Sequence, residues 1–234
     1  MALVGILGMH RSGTSAVAGM LEDHGIDFGA VRTRNRFNKR GNRELPELNR
    51  LHEEILQRAG GSWWDPPSSP PVRADDLRRR DEILAAITGE PAGVKDPRML
   101  VCAELWSDLE LMRIGVIRNP VSVRMSLARR AAERPKRHPR FSARQWEDLW
   151  ARYNRALLDE HGRSAFPVID FDRPPDLNRA VADALRFWGL PVGDESEFFD
   201  RNLVGETSDA DWRDEAESPE ALEVWDALSA LAEN

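Results

Sequence analysis

The chain has a single cysteine, Cys102, in 234 residues. One thiol builds neither an internal disulfide framework nor a cysteine-rich zinc site. Cys102 closes the apolar run Met99-Leu100-Val101-Cys102 and is expected in the core. Long apolar runs are missing too: nothing approaches the ~20 residues that span a bilayer. The apolar start, residues 2–7, has no basic flank and ends in a glycine loop, unlike a secretory signal. A cytoplasmic protein without a membrane span is expected. Excess positive charge is also absent. The net charge of −7 argues against general nucleic-acid binding, which needs a basic footprint.

That charge is unevenly spread. Between Arg113 and Arg144 stand nine arginines and one lysine against one acid, Glu133. From Glu206 onward there are ten acids and one base, Arg213. The basic stretch suits a small anionic ligand, although a solvated helix face looks the same in sequence. With 41% hydrophobic and 31% charged residues, the chain can bury a real core. Its length fits one domain over residues 1–234, with an acidic tail over roughly 205–234.

Short apolar runs alternate with helical periodicity. Residues 2–7 read as a buried strand, 8–13 as a loop and 14–24 as a helix stopped by Gly25. Residues 27–43 are basic and read as loop. Apolar residues at 45, 48, 51, 55 and 56 predict an amphipathic helix over 45–58. The four prolines of 63–72 exclude regular structure there. Helices are predicted over 75–87, 99–109, 120–132, 143–160 and 176–188, with a weaker one over 219–232. Further strands are predicted at 93–95, 111–117 and 166–169. Asn119 is a good N-cap and Pro120 suits the first helical position. This alternation predicts an α/β fold with a central parallel sheet covered by helices on both faces. Ligands of such folds bind at the carboxyl ends of the strands.

Gly8-Met9-His10-Arg11-Ser12-Gly13-Thr14-Ser15 follows a strand and opens a helix. Backbone N–H groups of such a loop converge, and the helix end adds roughly half a positive charge. The result is an anion cradle, to which Thr14 and Ser15 add hydroxyls. The Gly-x4-Gly spacing matches a nucleotide-triphosphate P-loop, yet the lysine expected after Gly13 is Thr14. The cation has moved into the loop as Arg11. A second candidate anion site pairs Arg118, at the end of a strand, with Ser126 in the helix that follows. Arginine offers phosphate a bidentate fork, and serine adds one donor. Two separated anion sites suit a ligand with two separated phosphates better than ATP. Such a ligand is 3′-phosphoadenosine-5′-phosphosulfate (PAPS), with a 3′-phosphate and a 5′-phosphosulfate.

In these residues the chain resembles the PAPS-dependent sulfotransferase family, particularly its bacterial members. His10-Arg11-Ser12-Gly13-Thr14-Ser15 is similar to the family's 5′-phosphosulfate loop. Arg118-Asn119-Pro120 through Ser126 is similar to its 3′-phosphate motif. Gly93-Val94-Lys95-Asp96-Pro97-Arg98, Asn38-Lys39-Arg40-Gly41-Asn42-Arg43-Glu44 and Val168-Ile169-Asp170-Phe171-Asp172 resemble further family segments. The resemblance covers roughly residues 2–190. It implies a three-layer α/β/α architecture related to P-loop NTPases, direct in-line transfer, no metal, and adenosine 3′,5′-bisphosphate as product. Three positions depart from the pattern. Ala16 stands where many members have an adenine-stacking Trp, Asp170 stands for a Tyr, and Asn42-Arg43 replaces aromatics.

The resemblance implies that Gly8, Arg11, Ser12, Gly13, Thr14, Ser15, Arg118 and Ser126 hold PAPS. Arg11 would stabilise the leaving phosphate, and Lys95 would sit on the bridging or sulfuryl oxygens. Glu44 is the implied base for an acceptor hydroxyl, although an acid there also suits a helix N-terminus. His10 is the alternative base, or a structural histidine. Asp96 is placed to orient Lys95 or Arg98. Trp63-Trp64 is either part of an acceptor wall or a loop anchor on the core. The acceptor is expected to be a small molecule or a carbohydrate. Two other readings stay open: a divergent magnesium- and ATP-using kinase or NTPase, and a non-catalytic nucleotide-binding module.

Overall fold

The computed structural model describes residues 2–31, 40–135, 138–172, 177–199 and 211–232. Among the described residues, four short strands form one sheet: β1 (Leu3–Leu7), β2 (Ala92–Lys95), β3 (Leu111–Ile117) and β4 (Val168–Asp170). The order is β2-β1-β3-β4 and every pairing is parallel. Leu3 lies beside Ala92 on one side and Leu111 on the other, so β1 is central. Parallel neighbours need crossovers. Here these run through α1 (Thr14–Asp23), α2 (Pro46–Arg58), α3 (Ala74–Ala85), α4 (Pro120–Glu133) and α5 (Ala143–Arg163). After β4 come α6 (Leu177–Phe187), the short α7 (Trp212–Glu215) and α8 (Pro219–Ala232).

Strand alternation divides the core between the two faces. Val4 and Ile6 of β1, with Ile114 and Val116 of β3, pack on Val17 and Leu21 of α1 and Val181 and Leu185 of α6. Leu3 and Leu7 join the opposite core, with Leu51 and Ile55 of α2, Trp150 and Leu157 of α5, and Trp225 of α8. The molecule is thus the expected three-layer α/β/α sandwich, with four parallel strands in the middle. Among the described residues, no helix is long and apolar enough to cross a membrane.

Most predicted elements form within a residue or two of their expected limits; α7 had no counterpart in the sequence reading. The expected helix over 99–109 does not form. Two 3-10 turns, Pro97–Met99 and Ala103–Trp106, stand there instead. Asp96 caps the first turn through the Arg98 N–H, and Cys102 at φ −118° and ψ 37° breaks the path before the second. Met99, Leu100, Cys102, Leu105 and Trp106 are buried while Glu104, Ser107 and Asp108 face solvent, and packing of the buried residues rather than helical periodicity sets the course. The acidic tail is tied down beyond residue 210. Glu147, fully buried in α5, accepts from the Glu217 and Ser218 N–H groups at 2.7 Å each and from Arg124. Residues 205–210 of the tail lie outside the described residues.

Candidate functional site

The loop after β1 is shaped by two glycines. A Cβ on Gly8 would lie 2.5 Å from the Val116 carbonyl oxygen and 2.7 Å from Thr14 Cγ2. A Cβ on Gly13 would enter the Phe171 ring, and its φ of 90° is left-handed. Arg11 also takes a left-handed φ, 71°, which is unusual for a residue with a side chain. The Ser12 N–H closes a turn onto the Met9 carbonyl at 3.2 Å. No side chain caps α1, and while the Ala16 N–H donates to the Gly13 carbonyl at 2.9 Å, the N–H groups of Thr14 and Ser15 point to where an anion would sit. The Ser12 hydroxyl is buried without a hydrogen-bond partner. An orphan donor in such a loop fits an oxyanion.

Arg118, at the end of β3, faces the same cradle. Its Nε donates to Asp172 Oδ1 at 3.0 Å, and its Nη2 is buried with no partner. Asp172 is held in turn by Asn119, whose N–H donates to Oδ2 at 2.8 Å and whose Nδ2 does so at 2.7 Å. Asn119 Oδ1 caps α4 through the Ser122 N–H at 2.8 Å. Ser126, on the second turn of α4, accepts from Arg11 Nε at 2.8 Å. The structure therefore brings Arg11, Arg118 and Ser126 together across adjacent strand ends. Burial, and then Arg130, Arg118 and Arg129, push the Arg11 guanidinium down to about 10. Crowded cations lowering one another's pKa mark a place where a bound anion gains most.

The β2 side is built around Lys95, which is buried. Its Nζ donates to Glu44 Oε1 at 2.6 Å, to Ser15 Oγ at 3.1 Å and to the Asn42 carbonyl at 3.1 Å. Ser15 Oγ itself donates to the Asn42 carbonyl at 3.3 Å. Glu44 thus pairs with Lys95 and does not serve as the cap of α2, a position held by Leu45. Asn38 and Lys39 of the same motif lie outside the described residues. Asp96 serves Arg98 among its partners: Oδ1 accepts from the Arg98 N–H at 2.9 Å and from Nη1 at 3.0 Å. Oδ2 accepts from Asn49 Nδ2 at 2.6 Å and pairs with His52 Nδ1 at 3.0 Å. Because Trp106 Nε1 donates to His52 Nε2 at 3.2 Å, the His52 proton belongs on Nδ1. Burial opposes ionisation of Asp96, but Arg98, His52 and the Arg98 N–H hold its carboxyl well below the ordinary range.

His10 lies on this side as well. Its ring stands 4.5 Å from Trp63 and 6.0 Å from Tyr153, and its Nε2 is buried without a partner. Tyr153 fixes Trp63 by donating to its carbonyl at 2.8 Å. Trp64 lies edge-on to Trp63 and lines a separate cavity of about 570 Å³ with Phe141 and Arg152. The two tryptophans therefore serve different surfaces.

The sequence reading did not single out His52, and gave Arg129 and Arg130 only as part of a basic stretch. His52 interrupts the buried stripe Leu48, Leu51, Ile55 and Leu56 of α2. A polar residue on an apolar stripe was the available signal. Arg129 and Arg130 needed the third dimension, which turns α4 toward the loop.

The chain matches no known family model, and no curated protein matches it. Solved structures that are similar over nearly the whole chain include two sulfotransferase domains. One is the sulfotransferase domain from the Synechococcus PCC 7002 olefin synthase, with 15% identity and a TM-score of 0.56, covering 97% of this chain and 94% of that one. The other is the sulfotransferase domain from the curacin biosynthetic pathway, with 14% identity and a TM-score of 0.57, covering 97% of both chains. At such identities the likeness shows the architecture, and the chain has the fold of these sulfotransferase domains.

Proposed function

We propose that this chain is a sulfotransferase that moves the sulfuryl group of PAPS to a hydroxyl or amine of a small-molecule or carbohydrate acceptor. The observation that carries the reading is the 2.8 Å bond from Arg11 Nε to Ser126 Oγ, which joins the loop after β1 to the site after β3. It sets two anion-ready sites side by side, as a 5′-phosphosulfate and a 3′-phosphate on one ribose require. Orphan polar atoms on both sites, Ser12 Oγ and Arg118 Nη2, fit phosphate oxygens. In the transfer, Gly8, Ser12, Gly13, Thr14 and Ser15 form the 5′ cradle, while Arg118 and Ser126 hold the 3′-phosphate. Arg11 offsets the negative charge that grows on the 5′-phosphate as the bond to sulfur breaks. Lys95 reaches the first turn of α1 and meets the sulfuryl oxygens as a point charge. Rate enhancement comes from in-line positioning and from preset positive charge.

Thermal unfolding in EDTA tests the reading. Adenosine 3′,5′-bisphosphate at a hundred times its Kd is expected to add ~2.7 kcal/mol. For a chain of this length that raises Tm by about 5–11 °C. No shift with the bisphosphate, together with one from ATP and magnesium, refutes the reading in favour of a divergent kinase.

A further inference from the structure

The loop after β1 sends consecutive side chains to opposite sides of the sheet end. Arg11, at φ 71°, reaches Ser126 on the β3 side. His10 turns to the β2 side, over Trp63. Its Nε2 is buried and unpaired, an arrangement that native structures rarely leave without a use. The charged and titratable groups around it are Arg98 and Asp96 after β2, Lys95 on β2, Arg130 on α4 and Tyr153 on α5. Burial and then Arg98 push the imidazole well below its ordinary value, Asp96 opposes them, and Arg130 and Lys95 add to the fall. The ring is therefore neutral, which is the form that takes up a proton. The rival carboxylate is committed elsewhere, with Glu44 Oε1 2.6 Å from Lys95 Nζ.

Resting on the sulfotransferase reading, we propose that His10 is the general base of the transfer and that Glu44 is a positioning residue that holds Lys95. The acceptor oxygen forms a bond to sulfur while the bridging S–O bond to the 5′-phosphate breaks. The bond's electron pair leaves with adenosine 3′,5′-bisphosphate, and the acceptor's proton moves to His10 Nε2. An imidazolium among Arg98, Arg130 and Lys95 is tolerable only while the anionic product remains beside it. Product release therefore drives the proton off and returns the base to its neutral form.

PAPS cleavage with water as the acceptor tests this without a known acceptor. Release of adenosine 3′,5′-bisphosphate is followed in the wild type, His10→Gln and His10→Ala, and the bisphosphate affinity of each is measured by calorimetry. Cleavage is expected to fall ~10²–10⁴-fold in both variants, the usual scale of base catalysis. Affinity is expected to hold, because His10 lies on the side away from Arg118. Added imidazole is expected to restore part of the His10→Ala rate, a rescue that a purely structural histidine would not show. Wild-type cleavage by His10→Gln, or a loss in His10→Ala that imidazole leaves untouched, overturns the base assignment alone. A wild type that binds no bisphosphate, or binds it and never cleaves PAPS, overturns the sulfotransferase reading with it.

Discussion

Replacing Arg118 by alanine probes the two-site arrangement most directly. The Arg118 guanidinium has one edge on Asp172, at 3.0 Å, while its Nη2 is buried and unpaired. A charge-assisted hydrogen bond to phosphate contributes ~1.5–3 kcal/mol. At ~1.4 kcal/mol per decade, its loss weakens bisphosphate binding roughly 10- to 150-fold. The variant also leaves an acid behind. Asp172 Oδ2 keeps both Asn119 donors, at 2.8 and 2.7 Å, so the carboxylate stays in place beside the phosphate. Arg118→Ala should therefore fall at the upper end of that range. Adding Asp172→Asn should recover about tenfold, ~1.4 kcal/mol, by removing the repulsion. Raising the salt should narrow the gap between the single and double variants through screening. Calorimetric titration with adenosine 3′,5′-bisphosphate in EDTA reads all three quantities. Unchanged binding in Arg118→Ala refutes the 3′-phosphate assignment, and a double variant weaker than the single one refutes the role given to Asp172.

Three further outcomes follow from buried groups. Asp96→Asn removes a buried charge that pairs with Arg98 and His52, and should cost ~3–5 kcal/mol in urea unfolding. Asp96 has a depressed pKa in the fold, so its contribution is full above the unfolded value of about 4 and is lost as pH falls below it; the wild type should lose stability there more steeply than the variant. Gly13→Ala puts a Cβ into the Phe171 ring at a left-handed φ, and should destabilise by ~2–4 kcal/mol and abolish the bisphosphate-induced Tm shift; a variant as stable as the wild type would contradict the loop geometry. Burial pushes the Cys102 thiol up to about 12, so a thiol reagent at pH 8 should label only the unfolded chain.

Local rules made the sheet and most of the site legible. Strands β1 and β3 are apolar runs followed by helix starts, and Gly8, Gly13, Asn119 and Pro120 carry turn and cap chemistry that acts within a few residues. Arg11, Arg118 and Ser126 were legible because each lies on a loop or helix turn that such a strand feeds. The failures lay where packing outweighs propensity. Residues 99–109 look helical, yet the packing of Met99, Leu100, Cys102, Leu105 and Trp106 and the Asp96 cap make tight turns of the segment. The partnerships of Asp96 with Asn49 and His52 span 47 and 44 residues, and no local pattern encodes them. The roles of His10 and Glu44 were equally hidden, since only the fold sets one against Trp63 and the other against Lys95.

The lysine missing from the loop returns by another route. In a triphosphate P-loop that cation precedes the first hydroxyl of the helix; here the position is Thr14. Lys95 nonetheless brings its Nζ within 3.1 Å of Ser15 Oγ, on the same first turn, from the end of the neighbouring strand. A cation therefore stands beside the first turn of α1 although none follows Gly13 in sequence. Its direction of approach differs: it enters from β2, opposite the β3 side where Arg118 waits. A cation placed there is poorly aligned with a polyphosphate chain running along one loop. On the proposed reading it is well aligned with a group passing from a donor held between β1 and β3 to an acceptor over β2. The sheet order β2-β1-β3 then matches the order of acceptor, transferred group and nucleotide.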